Sequence, residues 1–407
     1  MRTQDVLDFI FGKMNQLCNT VVPTCQRRFL CELFRTLLAM HGRITFTNMA
    51  RYSHFCERTF RRHFMRYVDW IAFNLTVMHL HAHPQEECIG VLDTTFLDKA
   101  GKKTYGLDRF FSSVYRRARR GLEVSLVGTV GTTTRRCIGL DATQTPAGLA
   151  TSEGNGSYCR TDFYVEQLTD VLKRLDGRLR YWVGDGFYAK AKFFNVLEAH
   201  NRHLITRLRS DANLRFLARE GERGPTGRRR RYAGKVSFSD LESPPSRFES
   251  VGALEDLPAV RLYTALVNSP HLKRDLRIVV LYHTETHSYV VLATTDLGQD
   301  AHEVVAFYRL RFQLELFIRD AKQYTGLGQS QARSQAKLDF HFNMSLAGVN
   351  LVRLLSSRAG MSVRSYVQEQ YNGYLVDRLR VELGLEAELA PSRPAVRRVV
   401  QTGRIAA

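Results

Sequence analysis

The sequence predicts an α/β protein: a mixed sheet with helices, interrupted by an inserted β subdomain and preceded by an N-terminal helical domain. Three observations predict it. Apolar residues recur at helical spacing in Phe29-Leu-Cys-Glu-Leu-Phe-Arg-Thr-Leu-Leu38. From about residue 86 the pattern turns to three strand-like runs and then to alternating helix and strand, as in a mixed α/β sheet. A second group of short β runs then interrupts that alternation before two long apolar-periodic helices. The 407 residues suffice for several such units, divided as 1–85, 86–208, 209–298, 299–360 and 361–407.

The elements follow in chain order. Within 1–85, Ile44–Tyr52, a polar break at Ser53-His54 and Cys56–Arg66 have the outline of a helix-turn-helix. Its second helix carries Arg58, Arg61, Arg62 and Arg66, so the segment reads as a DNA-binding domain, with a plain basic helical hairpin as the alternative. Strands are expected at Cys88–Leu97, Leu122–Val130 and Cys137–Leu140. A helix near Thr161–Leu175, a strand Leu179–Asp185, a helix Ala189–His200 and a strand His203–Leu208 come next. The insertion opens on a Gly/Arg/Pro stretch ending in Arg228-Arg-Arg-Arg231, read as a loop beside the active site that meets phosphates. It continues as Val260–Val267, Leu276–Tyr282 and Ser288–Thr294. Helices Ala336–Leu355 and Val363–Leu383 close the chain, with a loosely ordered basic tail from Pro391.

Composition narrows the function. Fifty-nine Lys plus Arg against 40 Asp plus Glu leave a formal charge of +19, which points to a polyanionic partner, nucleic acid first. No run reaches the length of a membrane span, and Met1-Arg-Thr-Gln-Asp-Val lacks the regions of a signal peptide, so a soluble cytoplasmic protein is expected. Seven cysteines without a C-x-x-C pair indicate neither a zinc ribbon nor a full disulfide framework. His79-Leu-His81-Ala-His83 would align three imidazoles in a strand, but no ligand of another type stands at metal spacing beside them.

The most informative stretch is Tyr308–Lys322. At about 100° per residue, Tyr308, Arg311, Glu315 and Lys322 fall within an arc of roughly 60° on a single helix. Phe307, Leu310, Leu314, Phe317, Ile318 and Ala321 form the neighbouring apolar arc. Arg311 and Glu315 alone would be an ordinary i,i+4 pair. With Asp93 and Asp185 at the ends of two apolar strands, Glu315 completes a set of three carboxylates, which suits two Mg²⁺ ions, Mn²⁺ substituting, for attack on a phosphodiester. Asp98 is a rival to Asp93 from the polar stretch beyond the strand.

Asp93 after its apolar strand, Val183-Gly-Asp185-Gly-Phe-Tyr-Ala, and the ungapped Tyr-x2-Arg-x3-Glu-x6-Lys helix resemble the DDE transposases of the insertion-sequence four type and their YREK signature. Gly101–Asp108, Arg120–Ser125 and Gly326–Arg333 extend the likeness, which spans roughly residues 88–380. The resemblance implies an RNase H-like catalytic fold with a β insertion between Asp185 and Glu315. It implies Asp93, Asp185 and Glu315 as the catalytic, metal-binding triad, and Tyr308, Arg311 and Lys322 as phosphate contacts. It further implies a bacterial, nucleoid-associated enzyme acting as a homodimer on paired transposon ends, cutting them and joining them to target DNA. Arg116, Arg117, Arg119, Arg120, Arg228 and Arg229 are expected to track the DNA backbone. A DNA-binding regulator derived from such an enzyme, or a nuclease of the same fold without strand transfer, are the alternatives.

Overall fold

The computed structural model describes residues 3–404 apart from 19, 82–85, 152–157, 176, 220, 224–225, 240, 243–245 and 386–387. Five helices come first: α1 (Thr3–Cys18), α2 (Thr24–Ala39), α3 (Phe46–Arg51), α4 (Glu57–His63) and α5 (Trp70–His81). The strands β1 (Cys88–Asp98), β2 (Asp108–Ser112), β3 (Arg117–Gly131) and β4 (Cys137–Gln144) precede α6 (Arg160–Leu172), β5 (Tyr181–Gly184), α7 (Ala191–Ala199) and β6 (His203–Leu208). The insertion supplies β7 (Arg215–Leu217), β8 (Tyr232–Lys235), β9 (Glu249–Leu254), β10 (Leu257–Ser269), β11 (Arg274–His283) and β12 (Tyr289–Thr294). Helices α8 (Ala301–Leu310), α9 (Phe312–Tyr324), α10 (Gln335–Arg358), α11 (Val363–Leu383) and α12 (Pro394–Val400) complete the chain.

The sheet core runs β4-β3-β1-β5-β6. In it β3 runs antiparallel to both β4 and β1, while β5 lies parallel to β1 and β6 parallel to β5. That order, with α9 and α10 on β4 and α6 and α7 against the same sheet, is RNase H-like. The inserted strands do not form a separate sheet. β12 pairs with β6, and β11, β10, β7 and β8 follow outward, so one sheet passes through the whole molecule. Apolar alternation makes this possible, because Ile278 and Val280 on β11 pack into one core and Val279 into the other.

Several expectations change. The expected single helix over 308–322 is two helices meeting at Arg311, where the Arg311 backbone N–H turns to the Tyr308 carbonyl at 3.2 Å, a tighter i to i−3 bond. Asp93 is not at the end of its strand: β1 continues five residues beyond it, supported by β3 on one side only. The basic tail holds a helix, α12, whose end is fixed by the Asn372 amide on the Val400 and Thr402 carbonyls. His79 and His81 sit on the last turn of α5, not on a strand, and His83 lies outside the described residues.

The helix-turn-helix outline is recovered as two short helices. Phe60 and Phe64 of the second are fully buried and His63 stacks on Phe29 at 4.0 Å, which turns Arg58, Arg61, Arg62 and Arg66 outward. Arg61 is held by Glu57 at 2.6 Å. Among the described residues, no helix is long and apolar enough to cross a membrane.

Candidate active site

The site begins where the pairing of two parallel strands ends. The last paired positions of β1 and β5 are Leu92 and Gly184, and the next residue on each is an aspartate, Asp93 and Asp185. Two carboxylates at adjacent strand positions repel each other, and the sheet rather than side-chain preference holds them there. Asp185 caps a 3-10 turn, Gly186–Tyr188: its Oδ1 accepts from the Phe187 N–H at 2.9 Å while its carbonyl accepts from Thr206 Oγ1 at 2.7 Å. Gly184 is required for this turn, since a Cβ there would lie 2.7 Å from the Tyr188 ring.

Glu315 arrives from the first turn of α9. Its link to the strands is Arg311, which donates from Nη1 to Asp93 Oδ2 at 3.0 Å and from Nη2 to Glu315 Oε1 at 2.5 Å. Asp93 is largely covered, with 16% of its side chain exposed, and burial raises its pKa to about 6. Arg311 opposes that rise, while Asp185 and Glu315 add to it. Burial also raises the Tyr308 phenol; the charge of Arg311 pulls it down and that of Asp185 pushes it up. Lys322 donates to the Phe96 carbonyl at 3.3 Å, and with Glu315 it lines an open groove on α9. Asp93, Glu315 and Tyr308 thus gather around Arg311 despite the break between α8 and α9, with Asp185 at the end of the strand beside Asp93 and Lys322 farther along α9.

Among the described residues, no three of His, Cys, Asp and Glu stand close enough together to hold an ion as they are, because Arg311 lies between Asp93 and Glu315. The donors nonetheless fit hard divalent cations in kind. All three are carboxylates, and the buried Asp93 feels both of the others and needs a positive charge beside it. In the structure Arg311 supplies that charge. Arg311→Ala is expected to destabilise the metal-free protein by about 2 kcal/mol, the loss being limited by the 41% exposure of Glu315. Thermal unfolding in EDTA measures it, and added Ca²⁺ should restore the variant more than the wild type. Equal midpoints in EDTA would rule out Arg311 as the counter-ion.

Other expected residues are placed elsewhere. Asp98, the rival of Asp93, is exposed at the far end of β1 and faces Arg119 at 3.8 Å. Arg117, Arg119 and Arg120 lie on β3 and Arg116 in the turn before it, so this basic run belongs to a β-hairpin. Arg228 and Arg229 precede β8, seven places along the strand order from β1. The insertion extends the sheet, and the four-arginine run lies in the segment before its outermost strand.

Two further groups lie within stretches that carry the resemblance but had no role assigned to them. Tyr188 is fully covered, its hydroxyl finds no hydrogen-bond partner, and burial, then Asp93 and Asp185, drive its pKa well up. Its only signal was its place three residues after Asp185. Glu123 on β3 is buried and bonded by the Tyr164 hydroxyl at 2.5 Å and by Arg160 at 3.5 Å, which ties α6 to the sheet.

The comparison with known families now has a structural setting. The family model described as DDE superfamily endonuclease matches residues 17–263, more than half of the chain, and the chain belongs to that family. The matched stretch contains Asp93 and Asp185 and ends before Glu315. No match is found among curated proteins. Members of this family cut phosphodiesters in DNA and depend on divalent metal ions.

Proposed function

We propose that the protein is a transposase of the insertion-sequence four type that binds the terminal inverted repeats of its own element, cuts its ends and transfers the strands to target DNA. The observation that carries this reading is the joining of Asp93 and Glu315 through Arg311, with Asp185 beside Asp93 at the end of the adjacent strand, on a helix pair whose Tyr308, Arg311, Glu315 and Lys322 keep the YREK spacing. The family assignment supports the cutting half of the reading. The transfer half rests on the Tyr, Arg and Lys around Glu315, a cationic face that a plain nuclease does not require.

Asp93, Asp185 and Glu315 would hold Mg²⁺, with Mn²⁺ substituting, and the ions would neutralise the scissile phosphate and activate water or a 3′-hydroxyl. The protein's own groups do the rest. The sheet fixes Asp93 and Asp185 in register, and α9 brings Glu315 to the Arg311 that also holds Asp93. Arg311, half-released from the carboxylates when phosphate enters, binds that phosphate in a bidentate fork, while Tyr308 and Lys322 hold its neighbours. The division at 85, 208, 298 and 360, a homodimer on paired ends and a cytoplasmic, nucleoid-associated location belong to the same reading.

A supercoiled plasmid carrying the DNA on either side of the protein's gene, incubated with the full chain and Mg²⁺, tests it. Excised linear fragment and joined products are expected. Cleavage without joined products selects the nuclease, and DNA binding without cleavage in Mg²⁺ or Mn²⁺ selects the regulator. The N-terminal role is tested in the full chain, because Asn74 of α5 bonds the Leu140 carbonyl of β4 at 2.9 Å. Arg58→Gln/Arg62→Gln is expected to weaken end binding about tenfold and leave the unfolding midpoint unchanged. Unchanged affinity would remove the recognition role from α4.

A further inference from the structure

The hairpin of β2 and β3 leaves the core sheet where β1 ends. Asp98 pairs with Gly121 there, five residues or about 17 Å along β1 from Asp93. Beyond that point only two strands remain. Their inner face holds Phe110 and Ser112, both buried, with the Arg160 guanidinium 4.9 Å from the Phe110 ring. Their outer face pairs Arg109 with Arg120 and Phe111 with Ala118, all exposed.

Two features of this hairpin weaken it as an isolated structure. Arg109 and Arg120 stand directly opposite each other, a like-charge pair that destabilises a two-stranded ribbon. Among the described residues, none of Arg109, Arg116, Arg117 and Arg120 has a carboxylate within ion-pair distance, and Arg119 faces Asp98 only at 3.8 Å. The tip, residues 113–116, places Val114 in water with 83% exposure, flanked by Tyr115 at 45% and Phe111 at 62%. The Arg119 guanidinium stacks 3.9 Å from the Tyr115 ring and braces it. Although Arg109 also donates to the Ala118 carbonyl at 3.4 Å, guanidinium groups without a carboxylate beside them call for a polyanion. Rigid apolar side chains at the end of the same ribbon match the wedges with which minor-groove binders unstack base steps.

We propose that this hairpin is a wedge for duplex DNA: Arg109 and Arg120 seat on backbone phosphates, and Val114 and Tyr115 press between base pairs from the minor groove and unstack them. The inference rests on the reading that the protein binds duplex DNA, and it adds a second contact that deforms the duplex beyond the carboxylates. Distortion there eases entry of a backbone phosphate into the groove beside Glu315, since a bent and unstacked duplex can wrap more protein surface.

The test uses the full chain at low salt in EDTA with a random-sequence 30-base-pair duplex carrying a central 2-aminopurine. The wild type is expected to bind and raise the 2-aminopurine fluorescence several-fold. Val114→Ser/Tyr115→Ser should bind within about threefold of the wild type without that rise. Arg109→Gln/Arg120→Gln should bind about tenfold more weakly, with the salt slope reduced by about two. An undiminished rise in Val114→Ser/Tyr115→Ser overturns the wedge, and an unchanged salt slope in Arg109→Gln/Arg120→Gln overturns the seat. A wild type that binds no duplex removes the DNA-binding reading itself, and the wedge with it. Anionic phosphatidylserine–phosphatidylcholine vesicles form the second arm. If Val114→Ser/Tyr115→Ser loses vesicle binding while its DNA response stays intact, the tip is a membrane anchor and the proposal is overturned.

Discussion

Asp93→Ala, Asp185→Ala and Glu315→Ala are each expected to lower Mg²⁺-dependent DNA cleavage by about a thousandfold or more, with end binding within about threefold of the wild type. The size follows from the electrostatics. A phosphodiester resists attack because it is anionic, and three carboxylates with no cation beside them would only repel it further. They assist only by fixing positive charge, so losing one carboxylate removes a fixed position and not merely a contact. Folding should survive all three changes. Asp93 sits in a strand held by β3 over its whole length, Asp185 at the end of a strand flanked by β1 and β6, and Glu315 on a helix anchored by Leu314, Phe317 and Ile318. Asp93→Ala even removes a buried carboxylate whose pKa is pushed to about 6. Plasmid nicking under single-turnover conditions, paired with gel-shift affinities, measures both quantities. Normal cleavage by any one variant would take that residue out of the catalytic set.

Much of the site was legible because its parts are local. Tyr308, Arg311, Glu315 and Lys322 lie within fifteen residues, and an apolar run ending in Asp is readable at both Asp93 and Asp185. The break at Arg311 was not legible, since its backbone stays helical, with φ −52° and ψ −35°, and only the hydrogen bonding tightens. Nor was the pairing of β12 with β6. Short β runs look alike whether they close a subdomain or extend an existing sheet, and the partner lies more than eighty residues away. The hairpin was missed for a different reason: the Arg117–Arg120 run lacks the β-branched and aromatic residues that signal a strand, and the ribbon is held by the buried Phe110 and Ser112 on the opposite strand.

Asn350→Ala is expected to destabilise the protein by about 4 kcal/mol and lower its unfolding midpoint by about 5 °C. Among the described residues β4 is an edge strand that pairs only with β3, and its outer edge is buried under α5 and α10, where unpaired backbone groups are costly. Asparagine side chains take the place of a neighbouring strand. Asn343 accepts from the Ala142 N–H at 3.0 Å and donates to the Ala142 carbonyl at 2.8 Å. Two helical turns later, Asn350 does the same for Gly139 at 3.0 and 2.8 Å, and its amide also reaches Asn74 Oδ1 at 2.9 Å. Alanine at 350 leaves the Gly139 N–H and carbonyl and the Asn74 amide oxygen short of partners in a dry interior, each costing about 1–3 kcal/mol. Asn74→Ala should cost less, and the double variant less than the sum of the two, because they share a bond. The clamp also bears on the site. A Cβ at Gly139 would lie 2.8 Å from the Phe317 ring of α9, two residues after Glu315, so the strand that Asn350 fixes is the surface on which the Glu315 helix rests. Asn350→Ala should therefore reduce cleavage although it lies outside the catalytic groove, whereas Gln335→Ala, exposed at the start of the same helix, should change neither midpoint nor rate. Thermal unfolding and cleavage rates of the four variants decide it, and an Asn350→Ala midpoint equal to that of Gln335→Ala would refute the clamp.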